Sequence, residues 1–570
     1  MLLERDFTLC SQSTHYWFKQ YEPRSPRSIY LVLTLIPILG LVFGQGAFSL
    51  SFGHILKGYA TYYATLLLSV VLYRISPFHP LADRPGPFIC KITKFWGAYI
   101  AFKGDTHRYY QQLHQRYGPI VRVGPNELSI VEKDAIAPVL GNQGMPRGPI
   151  WDGRRFGLLE NQNWDSLIDC RNQEEHNKLR KPWNQAFSGG PIKDYQPILE
   201  ERGQQLVNFL NDACVDGHGT LDIAKWISCF AFDFMGDLAF GGSFNLMRDG
   251  DIDGIWQMME EGVILPNIVG QIPWAWVMIK PLPVIAAKRN DFTSWARTQA
   301  QLRLEMDTRK KDLFFHLYEA PARASGVPLE SQMDLVVANS LLTIIAGSDT
   351  TSTTASAIIC CLLGCREKFA RLRAELDEAF PLTEADDGPP RIEMDILGRL
   401  PYLTGVVNEG LRLAPAVPSN IQRSPEDGSG GRLLIGTGIF IPEGTAVNIP
   451  AYSIQRDPRY FSPSPESFIP ERWLPDPEGR FTTNKEAFIP FSHGPSNCAG
   501  KPMAMIELRF IIAMLVHRFD MCYKGFESAS PEVLLKRQQA WFDGLKDRFV
   551  FSKDPLEVEV KPRWRAKPAA

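Results

Sequence analysis

Phe491–Gly500 reads FSHGPSNCAG, and this stretch decides what the chain can be. Glycine, proline, serine and asparagine crowd around one cysteine, which predicts a tight loop. The next residues, KPMAMIELRFIIAMLVHRF from Lys501 to Phe519, predict a helix. Cys498 therefore sits where helical N–H groups point back at its sulfur, which favours a thiolate. A thiolate is a strong, soft ligand for iron. Gly494 and Gly500 lack side chains, so the backbone can pass close to a flat macrocycle. A lone cysteine is more often a buried structural residue. That plainer reading leaves the spacing Phe491-x-x-Gly494-x-x-x-Cys498-x-Gly500 unexplained.

Three other stretches add to it. In NEGLRL, Glu409 and Arg412 are three apart and share a helix face, although an exposed pair of this kind is worth little. In Leu341–Ala357, LLTIIAGSDTTSTTASA, an apolar run meets Gly347 and the hydroxyl run Thr350–Thr354, which are poor helix interior. A local bulge is expected there, opening a groove beside the metal. The competing reading is plain helix packing with each hydroxyl bonded to the preceding turn. In Glu174–Gly190, His176 and Arg180 lie at i and i+4 on one helix face, with a solvated basic helix as the alternative.

Taken with the cysteine loop, these stretches resemble the cytochrome P450 family, whose haem-binding loop reads Phe-x-x-Gly-x-Arg/His-x-Cys-x-Gly. The resemblance implies a mainly α fold with small β-sheets and a haem b whose iron takes its axial thiolate from Cys498. It implies that Glu409 and Arg412 are buried with a second arginine, Arg472 in FIPERW, as structural support beneath the haem. It places the acid and alcohol that deliver protons to dioxygen on Asp349 and Thr350, because O–O cleavage needs protons that a threonine and water can relay from an acid. His176 and Arg180 fall where the family reaches a haem propionate, and Arg423 in SNIQR is a further propionate candidate. The chain departs from the pattern at Ser496, where relatives carry a base. That departure puts in doubt how the propionates are held, with Lys501 as one possible substitute, and leaves iron ligation untouched. The likeness covers nearly all the chain after residue 88. SPFHPLADRPGP, GMPRGPIWDG and DFMGDLAFGGSFNL resemble fungal members with N-terminal membrane hairpins.

Composition agrees with one large domain and an appendage. The chain has 570 residues, 45% hydrophobic and 22% charged, with a formal net charge of −2. Such a balance excludes the basic excess of a nucleic-acid binder. Ten cysteines are scattered without C-x-x-C or zinc spacing, which points to a reducing compartment. Cys360, Cys361 and Cys365 lie in an apolar run and should pack as small hydrophobes.

Ser28–Leu50 carries no charge and is long enough to cross a bilayer, which needs about 20 residues. It starts too late and runs too long for a cleaved signal peptide. A weaker run, Gly58–Ile75, follows. Arg5, Lys19, Arg24 and Arg27 precede the pair, Arg74 and Arg84 follow it, and only Lys57 lies between. This bias favours a hairpin with both ends cytosolic, the alternative being one span and an interfacial helix. Residues 1–76 are thus read as a membrane anchor. The prolines of 77–88 make a stiff hinge, and 89–570 form the catalytic domain. Ile120–Val131 predicts a strand pair, Arg432–Ile449 further strands, Met333–Phe369 a long helix, and Asp386–Pro390 a polar surface loop.

By position, the substrate pocket should draw on Trp151–Leu159, Leu265–Pro283, Leu342–Ala346 and Ala416–Ile421. Its apolar lining suits a lipophile such as a terpenoid, polyketide, fatty acid or xenobiotic. No G-x-G-x-x-G opens a βαβ unit, so electrons are expected from a separate NADPH-dependent flavoprotein reductase, with O2 as the other partner. The resemblance implies a monooxygenase at the endoplasmic reticulum membrane with its catalytic domain in the cytosol. The rival readings are a haem-thiolate isomerase or dehydratase that needs no O2, and a haem-binding protein without turnover. Relatives of the first kind commonly lose the acid–alcohol pair.

Overall fold

The computed structural model describes residues 2–20, 26–45, 51–155, 166–214, 219–242, 244–252, 254–279, 282–306, 311–381, 390–419 and 421–563. The polar loop expected at Asp386–Pro390 lies outside them except for Pro390. So do residues 46–50 of the first expected span and residues 156–159 of the expected pocket.

The chain opens with three helices, α1 (Leu2–Gln20), α2 (Pro26–Gln45) and α3 (Phe52–Ile75). Helix α1 was not expected, since its polar residues break any apolar run. Those residues turn inward, where Thr14 Oγ1 and Tyr62 Oη lie 2.8 Å apart and His15 Nδ1 meets Ser69 Oγ at 2.8 Å, so α1 runs parallel to α3. Tyr59 and Tyr63 donate to the carbonyls of Thr34 and Leu33 and fix α2 antiparallel to α3. Helix α3 begins six residues before the expected Gly58 and takes in Lys57. Of these three helices, it alone is long and apolar enough, by its described residues, to cross a membrane.

The proline stretch expected as a hinge is pinned to a sheet. Strands β1 (Ile120–Gly124) and β2 (Glu127–Ile130) pair antiparallel, and the buried Arg122 donates to the carbonyls of Leu81, Arg74 and Pro125. Its own N–H bonds Pro85 O at 2.7 Å. A Cβ on Gly86 would fall 2.3 Å from Arg122 O, so only glycine lets the two backbones meet there.

The remainder is mainly helical. Helices α4 (Gln173–Ala186), α5 (Ile223–Phe240), α6 (Ile255–Gly262), α7 (Met333–Gly364), α8 (Pro401–Leu413) and α9 (Lys501–Arg518) surround one core. Their small sheets include β3 (Gly219–Asp222), β4 (Gln422–Arg423), β5 (Ala446–Asn448) and β6 (Phe519–Tyr523), followed by a hairpin β7 (Lys546–Arg548) and β8 (Val550–Ser552), and β9 (Glu557–Pro562). The order β1-β2-β5-β4 makes one sheet, in which β2 and β5 pair in parallel with Leu128 opposite Val447. A second sheet runs β6-β9-β3.

Helix α7 is the axis of the core. From Thr351 to Gly364 every residue is buried, which its apolar run dictates, and α5, α8 and α9 pack against it. Gly410 permits α8 to approach, because a Cβ there would lie 2.1 Å from Ile358 Cγ1. Two expectations are corrected on this helix. It does not continue to Phe369 but breaks at Cys365, and a new helix runs Arg366–Ala379. It also shows no bulge: the hydroxyls of Ser348, Thr350, Thr354 and Ser356 donate to the carbonyls four residues back, which satisfies them inside a continuous α-helix. Cys360 and Cys361 are fully buried, while Cys365 is only half-buried at the break.

Candidate functional site

The cysteine loop is held by its own backbone. Cys498 N–H donates to Phe491 O at 2.9 Å and Asn497 N–H to Gly494 O at 3.1 Å, closing a tight turn before α9. Gly494 has φ +73°, and a Cβ there would lie 2.2 Å from the backbone oxygen of Leu140. Gly494→Ala should therefore lower the thermal midpoint and the haem content together, at a cost of about 3 kcal/mol. Unchanged haem content in that variant would show that the loop tolerates the shift. Burial raises the Cys498 thiol pKa. The N–H groups of Gly500 and Lys501, and the charge of Arg180, oppose that rise. The sulfur thus has the donors a thiolate needs. Phe491 is half-buried under the Lys501 ammonium, 5.8 Å from the ring centre.

Beneath the loop lies a wholly buried charge network. Arg412 makes paired 2.8 Å bonds to both oxygens of Glu409, and Arg472 Nε donates to Glu409 Oε1 at 3.1 Å. Trp473 Nε1 and Ile469 N–H complete the carboxylate, each at 2.9 Å. Burial would raise the Glu409 pKa, but Arg412, Arg472 and these bonds outweigh it and hold the acid ionised. Arg412 also donates to the carbonyls of Gln455, Pro465 and Ser467. The Gln455 side chain then bonds back to Leu411 O and Arg412 O and accepts from Ile489 N–H, two residues before Phe491. The network and the cysteine loop are in this way one connected framework.

His176, Arg180 and Arg423 also come together, and Arg147 joins them. Arg147 and Arg423 face each other across a β-bridge. His176 is buried rather than on a solvated face, and neither ring nitrogen has a partner. Burial, with the charges of Arg147, Arg180 and Arg423 beside it, drives its pKa to about 3. Burial and Arg423 push Arg147 down to about 9, and Arg423 Nε is buried without a partner. Arg180 donates to Asn497 O and Oδ1 at 2.5 and 2.9 Å, next to the cysteine. The Cys170 thiol and the Asp169 carboxylate offset part of the charge on Arg147. Three arginines with a buried, unpartnered imidazole call for anionic groups, and the propionate edge of a haem would supply them. The residues present fit the cofactor.

Across from these, α7 presents Ala346 exposed in mid-helix, with Leu342, Ile345, Asp349 and Thr350 half-buried. Burial raises the Asp349 pKa to about 6, close to neutrality, where an acid both takes and gives protons. Gly347 lies against Met235 of α5, which a Cβ would touch at 2.4 Å.

Two of the four segments expected to line a pocket, Trp151–Leu159 and Leu265–Pro283, meet through their described residues. Trp276 Nε1 donates to Arg155 O at 2.7 Å, and a Cβ on Gly153 would fall 2.6 Å from Gly270 Cα. Phe551 N–H bonds Ala416 O at 3.1 Å. The β7–β8 hairpin joins them through Phe549, whose ring lies 5.7 Å from that of Trp151 and 3.8 Å from the Arg154 guanidinium. The sequence reading missed this hairpin and Arg147. KDRFVFS has no apolar–polar alternation, and only its strand-forming Phe549-Val550-Phe551 hints at the hairpin. Arg147 lies within GMPRGPIWDG, but nothing in that string marks it as a partner of Arg423.

Comparisons with known proteins agree with this geometry. The family model "Cytochrome P450" matches residues 84–535. The chain is 33% identical over 473 residues to cytochrome P450 monooxygenase notG' of Aspergillus versicolor, covering 82% of each chain. It is 31% identical over 506 residues to tryprostatin B 6-hydroxylase of Aspergillus fumigatus, covering 88% of this chain and 84% of that one. It is 30% identical over 507 residues to cytochrome P450 monooxygenase FCK2 of Fusarium pseudograminearum, covering 87% and 85%. With the Cys498 loop and the buried Glu409–Arg412–Arg472 network in one framework, the chain belongs to the cytochrome P450 family of monooxygenases.

Proposed function

We propose that this monooxygenase is membrane-anchored and oxidises a lipophilic secondary metabolite, with haem b held by Cys498. The observation that carries this reading is the cluster of Arg147, Arg180 and Arg423 around a neutral, unpartnered His176 beside the Cys498 loop. A thiolate-ligated haem supplies dioxygen activation, with electrons from a separate NADPH-dependent flavoprotein reductase. The chain's own residues do the rest. The Gly500 and Lys501 amides stabilise the Cys498 sulfur, the cation cluster binds the propionates, and Glu409, Arg412 and Arg472 hold the loop in place. Asp349 takes a proton from water and passes it toward the Thr350 hydroxyl, which now donates to Ala346 O at 2.7 Å and must turn to relay it.

The aromatic side chains of Trp151, Trp276 and Phe549 favour a lipophilic substrate, and one relative is a hydroxylase of a small molecule, tryprostatin B. Exposed Leu31, Leu35 and Ile38 on α2 and Leu67, Leu68 and Leu72 on α3 suit lipid contact, so residues 1–76 serve as the anchor and 77–88 as a strap to the catalytic domain. The basic flanks favour a cytosolic catalytic domain, with the endoplasmic reticulum as the membrane.

Thr350→Ala is expected to keep its haem spectrum while losing coupling. Product formed per NADPH should fall at least tenfold, about the lower bound for a lost proton relay, with the missing electrons recovered as hydrogen peroxide. Coupling equal to wild type would remove Thr350 from the relay.

A further inference from the structure

Asp349 does not stand alone on α7. Lys553, just after β8, reaches to the same helix and donates to Ser352 Oγ at 3.0 Å and Thr353 Oγ1 at 3.3 Å. Both hydroxyls have given their protons elsewhere: Ser352 donates to Asp349 O at 3.3 Å and Thr353 to Phe551 O at 3.0 Å. They can only accept from the ammonium, which fixes its position. Ser352 and Thr353 are three and four residues past Asp349, so the ammonium sits one turn along the face that carries the acid. Glu260 on α6 also bears electrostatically on Asp349 and Lys553, and Asp222 and Cys229 bear on Lys553. The hydrogen bonds place a half-buried ammonium one turn from the half-buried acid that precedes Thr350.

We propose that Lys553 is a positioning residue that governs proton supply to Asp349 by holding it toward the carboxylate form. The inference rests on the reading of Asp349 as the proton donor. The step is proton transfer alone: Asp349 takes a proton from solvent, releases it toward Thr350 and returns to carboxylate, while Lys553 keeps its charge. The charge acts in the required direction, since burial raises the pKa of Asp349 and Lys553 opposes that rise. Removing the ammonium should strengthen proton binding at Asp349.

The test uses the full-length, haem-loaded protein in bilayer nanodiscs. Carbodiimide labelling at Asp349 is followed against pH by peptide mass spectrometry, because the reagent needs the protonated carboxyl. Lys553→Met should move the midpoint up by about half a pH unit, a threefold change in proton affinity. Lys553→Arg, which keeps the charge, should restore the wild-type midpoint. A purely structural role would not be rescued by charge alone. An unchanged midpoint in Lys553→Met, or a shift that Lys553→Arg does not restore, overturns the proposal. The solvent deuterium isotope effect on NADPH consumption, with the reductase present, tests the underlying reading separately. If Asp349→Asn leaves that effect as in wild type, the Asp349 assignment itself fails. If Asp349→Asn alters it while the Lys553→Met midpoint stays fixed, only the role of Lys553 fails.

Discussion

Cys498→Ala is expected to fold, to lack the strongly red-shifted Soret band of the reduced, carbon-monoxide-bound enzyme, and to lose turnover by at least about 10³-fold. Folding should survive because the loop is closed by the Cys498 N–H and the Gly494 carbonyl, neither of which needs the sulfur. The framework below ends at Glu409, Gln455 and Ile489, and it too is intact in the variant. The sulfur alone has the Gly500 and Lys501 amides and the Arg180 charge around it. No other cysteine lies on this loop, so another thiol cannot replace it. The comparison to make is the difference spectrum of wild type and variant in membranes, with circular dichroism as the folding control. A red-shifted band in Cys498→Ala would mean that another residue ligates the iron. A wild-type band at the histidine-ligated position would point instead to Ser496, where the usual base is missing.

Arg412→Leu should instead act on folding. The substitution leaves Glu409 ionised and buried, with Arg472 Nε, Trp473 Nε1 and one backbone N–H as its remaining partners. It also strips hydrogen-bond donors from the carbonyls of Gln455, Pro465 and Ser467. Breaking a buried pair from one side costs about 3–5 kcal/mol, a large share of the 5–15 kcal/mol by which domains are stable. The variant should express with little bound haem and unfold at a much lower urea concentration. Arg412→Lys should recover only part of the loss, because an ammonium cannot make the paired bonds of a guanidinium. A double variant, Glu409→Leu with Arg412→Leu, removes both charges and should be less damaged than Arg412→Leu alone. Equal urea midpoints for wild type and Arg412→Leu would show that the network is not what holds the loop.

Much of the site was legible in the sequence because its elements are local. The turn formers around Cys498, the i,i+3 pair Glu409–Arg412 and the i,i+4 pair His176–Arg180 are set by short-range backbone geometry, and each folded as its spacing required. The bulge expected in α7 failed for an equally local reason. Threonine and serine are poor helix residues in water, but in a buried helix their hydroxyls bond the carbonyl four residues back and the helix continues. Helix α1 carries no apolar run to mark it, and what orders it is the contact of Thr14 and His15 with Tyr62 and Ser69 on α3.

The sequence by itself determined the family and the apolar character of α2 and α3, and it singled out Cys498 and the Asp349–Thr350 pair as candidates, because all of these depend on residue type and close spacing. Only the tertiary structure decided which distant charges share a site. Arg147 and Arg423 are 276 positions apart and meet across a β-bridge, and Lys553 lies 204 positions beyond Asp349 yet sits one turn from it along α7. The electrostatic effect of a charge depends on its separation in space and on the dielectric around it, and neither can be read from separation along the chain.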